Sequence, residues 1–358
     1  MATAADAPVA YLEADVGQCE FTPAGLIALH VLRGGSPLTG PPHAHLRAWR
    51  RAAFYGDTSP KADARALPAA VAMLAAEART QLAGVPLVVN TCGWVTGAGL
   101  DILSDTLRGV APTHLVSLCP TGGRAVLPRG AFWLEEDSSD GVRASAPCRV
   151  LDLPALPAPA VGAGGSWQAA DARAAAALAY FHAPMAHVDD AGMPAASMGA
   201  ATALAEAVPY AAPRAALGVV FLHAEVPPEH EATVLNGALV GLARPWQGTE
   251  GVHAYAHGWP KYECLALGVV KAYDPAHGGV VYVHTPAPPE TLATATVLLH
   301  GRVELPASAY TPPGMRAAYV LPHAISTEGV GAAPQKARNN LQRGGGGAGA
   351  AQQQPDAI

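Results

Sequence analysis

Charge is scarce in these 358 residues: only 14% are Asp, Glu, Lys or Arg, and lysine occurs four times, at 61, 261, 271 and 336. The balance of 22 basic against 28 acidic residues, net −6, excludes a broad basic surface that would gather nucleic acid by its field alone, so any such contact must be local. The four lysines follow Pro60, Pro260, Val270 and Gln335. None therefore belongs to G-x-x-x-x-G-K-[ST], the motif whose backbone amides and lysine cradle phosphates. Gly97-Ala98-Gly99 lacks the third glycine of a dinucleotide fingerprint. The five cysteines are widely spaced with no C-x-x-C pair, which argues against a disulfide framework or a cysteine zinc site and for a reducing compartment. No apolar run reaches the roughly 18 residues that span a bilayer, and the first eight residues show no signal-peptide pattern. The expectation is a soluble intracellular protein with no membrane contact.

What is present is apolar material, 50% of the chain, enough for a sizeable core and two domains. In the first third, runs rich in Val, Leu and Ile at 9–15, 26–32, 52–55, 86–90 and 113–118 read as strands. Ala-rich 63–82, with Leu67, Val71, Leu74 and Ala78 at helical spacing, and 100–108 read as helices. Continuously apolar strands separated by helices predict an α/β fold. Its parallel sheet would be covered by helices on both faces, with ligands at the carboxyl ends of the strands.

Those ends carry chemistry. The first reads Glu13-Ala14-Asp15-Val16-Gly17-Gln18, and residues two apart on a strand share a face, so both acids are expected to point together. The third ends in Gly56-Asp57-Thr58-Ser59-Pro60, the fourth in Asn90-Thr91-Cys92-Gly93-Trp94. Small, hydroxyl-bearing, Gly-rich ends let backbone N–H groups approach anionic oxygens, and a carboxylate beside them suits Mg²⁺ or proton abstraction from a hydroxyl. His43 and His45, beside Pro41 and Pro42, read as loop histidines without a third metal ligand.

Three segments in order, YLEADVGQCEFTPAGLIALHVL, FYGDTSPKAD and PLVVNTCGWVTGAGLDIL, resemble the nucleolar branch of the polynucleotide 5′-hydroxyl kinases, relatives of the kinase subunit of the pre-mRNA cleavage factor. Asp171-Ala172-Arg173 leading into Tyr180-Phe181 resembles that family's helical lid. LNGALVGL, ECLALG and RNNL from Leu235 to Leu341 resemble its C-terminal domain. The resemblance implies a P-loop-kinase-like sheet, a lid and transfer of the ATP γ-phosphate to the 5′-hydroxyl of RNA or DNA with Mg²⁺. Asp15 matches the Walker-B-like aspartate, acting on Mg²⁺ or as general base, Glu13 its neighbouring acid and Gln18 the polar residue that follows. Thr58 and Ser59 match the hydroxyl pair that clasps the substrate, and Asn90, Thr91, Gly93 and Trp94 a substrate-side loop. Trp94 is either a base-stacking platform or a core tryptophan. Arg173 is the candidate lid arginine or a solvated helix-face charge, and no second lid arginine accompanies it.

The family's P-loop strand, loop and helix come before the strand at 9–15, and eight residues are too few to hold them. The expectation is a chain shortened at its N-terminus, missing the first strand and P-loop and inactive by itself. Expected organisation is a partial P-loop kinase domain at 1–150, a linker and helical lid segment at 151–213, a β-rich C-terminal domain at 214–343 and a disordered tail at 344–358. The resemblance implies ribosomal RNA processing in the nucleus and nucleolus, RNA 5′ ends as substrate and a HEPN-type endoribonuclease as partner. The alternative is a non-catalytic kinase-like scaffold that keeps RNA or partner binding.

Overall fold

The structure is a computed structural model that describes residues 7–33, 41–119, 127–128, 132–134, 148–155, 168–182, 204, 207–246, 261–275 and 279–305. All of them belong to the first of two compact units, Met1–Tyr319. Of the expected linker and lid segment, 156–167, 183–203 and 205–206 lie outside the described residues, as does everything from 306, including RNNL and the expected tail.

The first four expected strands build a four-stranded sheet. They are β1 (Val9–Ala14), β2 (Leu26–Leu32), β3 (Arg51–Phe54) and β4 (Leu87–Thr91), in the order β3-β2-β1-β4. Pairing of β1 with β4 is parallel, with Glu13 opposite Asn90 and Ala14 opposite Thr91. β2 runs antiparallel to both β1 and β3, so the sheet is mixed where a wholly parallel one was expected. The cause is the length of the β1–β2 link. Eleven residues without a helix, closed by a Gly25 N–H to Val16 O bond of 2.8 Å, return the chain alongside itself. A parallel return needs a longer crossover, usually a helix.

That crossover exists between β3 and β4 as α1 (Ala66–Gln81). The Asp63 carboxylate accepts the Arg65 and Ala66 N–H groups at its mouth, each at 3.0 Å. Its Leu67, Val71, Leu74 and Ala78 stripe buries against Ala10, Leu12, Ile27, Leu29, Ala53 and Tyr55. α2 (Ala98–Val110) lies along α1, close enough that a Cβ on Gly109 would be 2.5 Å from the Ala72 methyl. Among the described residues, α1 and α2 cover this face. The other is taken by the C-terminal half, where a Cβ on Gly241 would lie 2.9 Å from the Phe54 side chain.

A separate parallel pair joins β5 (His114–Cys119) to β6 (Arg149–Pro154), and α3 (Ala169–His182) follows. Tyr180 on α3 is buried, stacks on Trp49 with ring centroids 6.1 Å apart and accepts the Leu267 N–H at 2.9 Å. The C-terminal half is β-rich, as expected. β7 (Tyr210–Pro213), β8 (Gly218–Phe221), β9 (Leu239–Pro245), β10 (Tyr262–Asp274), β11 (Val280–His284) and β12 (Val297–His300) form one sheet in the order β7-β11-β10-β9-β12-β8. Its helices are short, α4 (Glu231–Leu235) and α5 (Pro289–Leu292). The halves are joined by charge as well as packing. Glu263 on β10 accepts Arg51 Nη1 at 2.7 Å and Arg244 Nε at 2.9 Å, while Arg51 Nε also reaches Glu77 on α1. Among the described residues, no helix is long and apolar enough to cross a membrane.

Candidate functional site at the carboxyl edge

Asp15 is the first residue past β1. Its Oδ1 accepts the Gly17 N–H at 2.9 Å and the Gln18 N–H at 3.1 Å, a short Asx-type loop that fixes the carboxylate. Its Oδ2 has no hydrogen-bond partner among the described residues, and Gln18 beside it is exposed. Only glycine fits at position 17, because a Cβ there would lie 2.5 Å from the Thr58 carbonyl oxygen. That close approach brings the Asp15 loop onto the loop after β3. There Asp57 Oδ1 accepts the Ser59 N–H at 2.9 Å and Ser59 Oγ the Lys61 N–H at 3.4 Å, ahead of a buried Pro60. Asp15, Thr58 and Ser59 thus share one edge of the sheet.

Glu13 differs from its neighbour. It is fully buried, and its oxygens accept three N–H groups: Glu20 at 2.7 Å, Asn90 Nδ2 at 2.8 Å and Asp15 at 3.1 Å. It ties the Asp15 loop to β4, and Glu20 extends the tie to buried His45 at 2.7 Å. Burial pushes the Glu13 carboxyl from its ordinary 4.5 up to about 7, although the three donors pull the other way. A raised folded pKa means that the unfolded chain gives up this proton first as pH rises. The group's contribution is therefore fully present below about pH 4.5 and is lost on the way to about pH 7. The loss is up to about 3 kcal/mol. Urea unfolding of wild type and Glu13→Gln across this range should show the stability difference moving in favour of the variant as pH rises. A pH-independent difference would contradict the burial argument.

On β4, Asn90 is committed to Glu13, and Thr91 ends the strand. Burial, helped by nearby Asp15, pushes the Cys92 thiol up to about 11, so it is neutral at physiological pH. Gly93 is exposed. Trp94 is half-buried against the α1 core, with the Lys61 ammonium 4.8 Å above its ring. Trp94 is thus partly core, with a cation over one face of its indole ring. Arg173, on α3, forms no hydrogen bond or ion pair with another described residue, and α3 packs toward Pro42–Ala44, Trp49 and β10 rather than the Asp15 edge.

Sequence reasoning overlooked His223 and Arg302, which follow β8 and β12. His223 Nε2 lies 2.7 Å from Tyr55 O, and the Arg302 N–H donates to Gly56 O at 2.5 Å. The signal was a Gly-Arg pair directly after an apolar run. That pair sits where β12 stops, at His300. Among the described residues, no group of three or more His, Cys, Asp or Glu is arranged to hold a metal ion. A single aspartate with an open oxygen does fit Mg²⁺, which keeps most of its waters and takes one or two carboxylates plus substrate phosphates.

Residues 1–122 match the family model described as mRNA cleavage and polyadenylation factor CLP1 P-loop, and 205–306 that of the NOL9-like C-terminal domain. The polynucleotide 5′-hydroxyl-kinase NOL9 of Arabidopsis thaliana is 29% identical over 317 residues, covering 83% of this chain and 78% of that protein. The Danio rerio protein of the same name is 28% identical over 323 residues, 84% of this chain and 42% of its own length. The Homo sapiens one is 26% identical over 338 residues, 83% and 45%. The chain thus spans under half the length of these two vertebrate relatives. A solved Clp1p chain, from a structure titled for the Pcf11p–Clp1p interface and ATP loss in a Gly135Arg mutant of that protein, superposes with a TM-score of 0.54 at 10% identity. It covers 84% of this chain and 68% of that one, a likeness of fold. The two family models and the long relatives agree along the chain, which is similar over most of its length to the NOL9-type polynucleotide 5′-hydroxyl kinases.

Proposed function

We propose that this chain carries the acceptor side of a polynucleotide 5′-hydroxyl kinase, which moves the ATP γ-phosphate onto the 5′-hydroxyl of RNA or DNA. The observation that carries the reading is Asp15. One oxygen is pinned by two backbone N–H groups and the other is open, against the Thr58–Ser59 loop at the ligand edge of the sheet. In the reaction the 5′ oxygen bonds to the γ-phosphorus, the bond from that phosphorus to the bridging oxygen breaks, and its electron pair leaves with ADP. Two tasks fall to Asp15 Oδ2, and both need it ionised: accepting the 5′-hydroxyl proton, or holding Mg²⁺. A Mg²⁺ ion there would supply charge neutralisation on the phosphate oxygens.

Thr58 and Ser59 orient the 5′ end, and Gln18 lies exposed at its mouth. Glu13 and Asn90 act one step back, as positioning residues for the Asp15 loop. Thr91, Gly93 and Trp94 line the acceptor's side, with Lys61 leaving the indole when a base stacks. Arg173 serves as the lid arginine only if α3 moves toward the edge. We read 1–150 as the kinase part, 151–213 as linker and lid, and 214–343 as the β-rich domain. Ribosomal RNA processing, a nucleolar setting and a HEPN-type endoribonuclease partner follow from the family reading.

The test is acceptor chemistry. The protein is extended at its N-terminus by a segment bearing G-x-x-x-x-G-K-[ST] and given γ-labelled ATP. It should label a 5′-hydroxyl oligonucleotide, and labelling should vanish when the 5′ end is already phosphorylated. Equal labelling of both would refute 5′-hydroxyl transfer.

A further inference from the structure

We infer that Arg302 binds a backbone phosphate of the polynucleotide strand whose 5′ end lies at Asp15, so that the C-terminal sheet supplies part of the strand path. The inference rests on the reading of the site given above.

β8 and β12 run parallel and finish together, the Leu222 N–H donating to His300 O at 2.9 Å. Both then press onto the loop after β3. Leu222 reaches within contact of Gly56, and a Cβ on Gly301 would lie 2.1 Å from Gly56 O. The neighbouring Val303 packs over Gly25, which opens β2 at the same edge of the sheet. Arg302 is held at its root by its own N–H on Gly56 O and at its tip by Nη2 donating to His223 O at 2.7 Å. His223 is itself anchored on Tyr55 O.

The guanidinium is fixed in place and only loosely paired: Asp57 Oδ2 stands 3.9 Å from Nη1, within ion-pair range but beyond hydrogen-bond distance, while Asp57 Oδ1 accepts the Ser59 N–H. The Arg302 side chain is 60% exposed, so the rest of its donor fork faces solvent one residue from Thr58. A surface arginine with no role in folding gains little from being tethered at both ends, because ordering a long side chain costs entropy. A planar fork held against the loop after β3, beside the Asp57 that precedes Thr58 and Ser59, is suited to a phosphate. On a chain of net charge −6 such a local cation is how strand contact can be made.

The experiment uses the full 358-residue chain and a fluorescent single-stranded RNA of about ten nucleotides with a 5′-hydroxyl, titrated by anisotropy between about 50 and 200 mM salt. Arg302→Ala should weaken binding roughly tenfold. It should also reduce the slope of log affinity against log salt by about 0.7, the value for one single-strand phosphate contact. Arg302→Lys should keep most of the slope, and the thermal midpoints of both variants should match wild type. Unchanged affinity in Arg302→Ala overturns the inference. So does weaker binding with an unchanged salt slope and a lowered midpoint, which would mark Arg302 as a structural tether. Failure of the wild-type chain to bind the RNA at any salt would instead remove the acceptor-site reading, and this inference with it.

Discussion

Asp15→Asn, made in the N-terminally extended protein, should lower phosphate transfer by roughly a thousandfold in kcat while leaving the unfolding midpoint unchanged. The two effects separate because the two carboxylate oxygens do different work. Asn retains an Oδ1 acceptor for the Gly17 and Gln18 N–H groups, so the loop keeps its shape. It replaces open Oδ2 by an NH₂ group, which can neither take a proton from a hydroxyl nor hold a cation. Binding of the 5′-hydroxyl strand should change little, since the loss falls on a charge used in the transition state. Near wild-type turnover, measured with saturating oligonucleotide, would take Asp15 out of the mechanism. A collapse of the midpoint would reassign it to structure.

Glu263→Ala should destabilise the chain by about 3–5 kcal/mol in urea unfolding. Glu263 is 4% exposed and is the shared anion between Arg51 on β3 and Arg244 on β9. Removing it takes the shared anion from two half-buried guanidinium groups, of which Arg51 keeps its pair with Glu77. The penalty is that of buried unpaired charge rather than of a lost attraction, so Glu263→Gln should recover only part of it. Because the network links β3 and α1 to β9 and β10, the transition should also broaden as the two sheets lose cooperativity. A loss below about 1 kcal/mol would put this network with ordinary surface ion pairs.

The fold was legible where periodicity is strong. α1 begins three residues inside its expected start and ends one residue before its expected end, because four apolar residues at helical spacing leave no other way to cover the sheet. β6 and β7 were missed, since each is short and ends in proline, which reads as a breaker but is tolerated at a strand end. Strand direction could not be read from composition. Apolar runs mark buried strands, whereas the length and closure of the 15–25 loop decide that β2 turns back. The same distinction applies to the acids. Two residues apart means one face only while both lie on the strand, and β1 stops at Ala14. Glu13 consequently turns inward to three N–H donors while Asp15 leaves the pleat and keeps one oxygen open. Arg302 and Asp57 are 245 positions apart, and only the meeting of two sheets brings them together.

The central claim is that these residues form the 5′-hydroxyl side of a phosphate-transfer site whose phosphate cradle they do not themselves contain. It is tested most directly by the rate of label transfer from γ-labelled ATP to a 5′-hydroxyl oligonucleotide. The comparison is between the 358-residue chain and the protein extended by a G-x-x-x-x-G-K-[ST] segment. Background labelling is expected from the former and robust, Asp15-dependent labelling from the latter. Robust transfer by the 358-residue chain alone, or none by the extended protein, would contradict it.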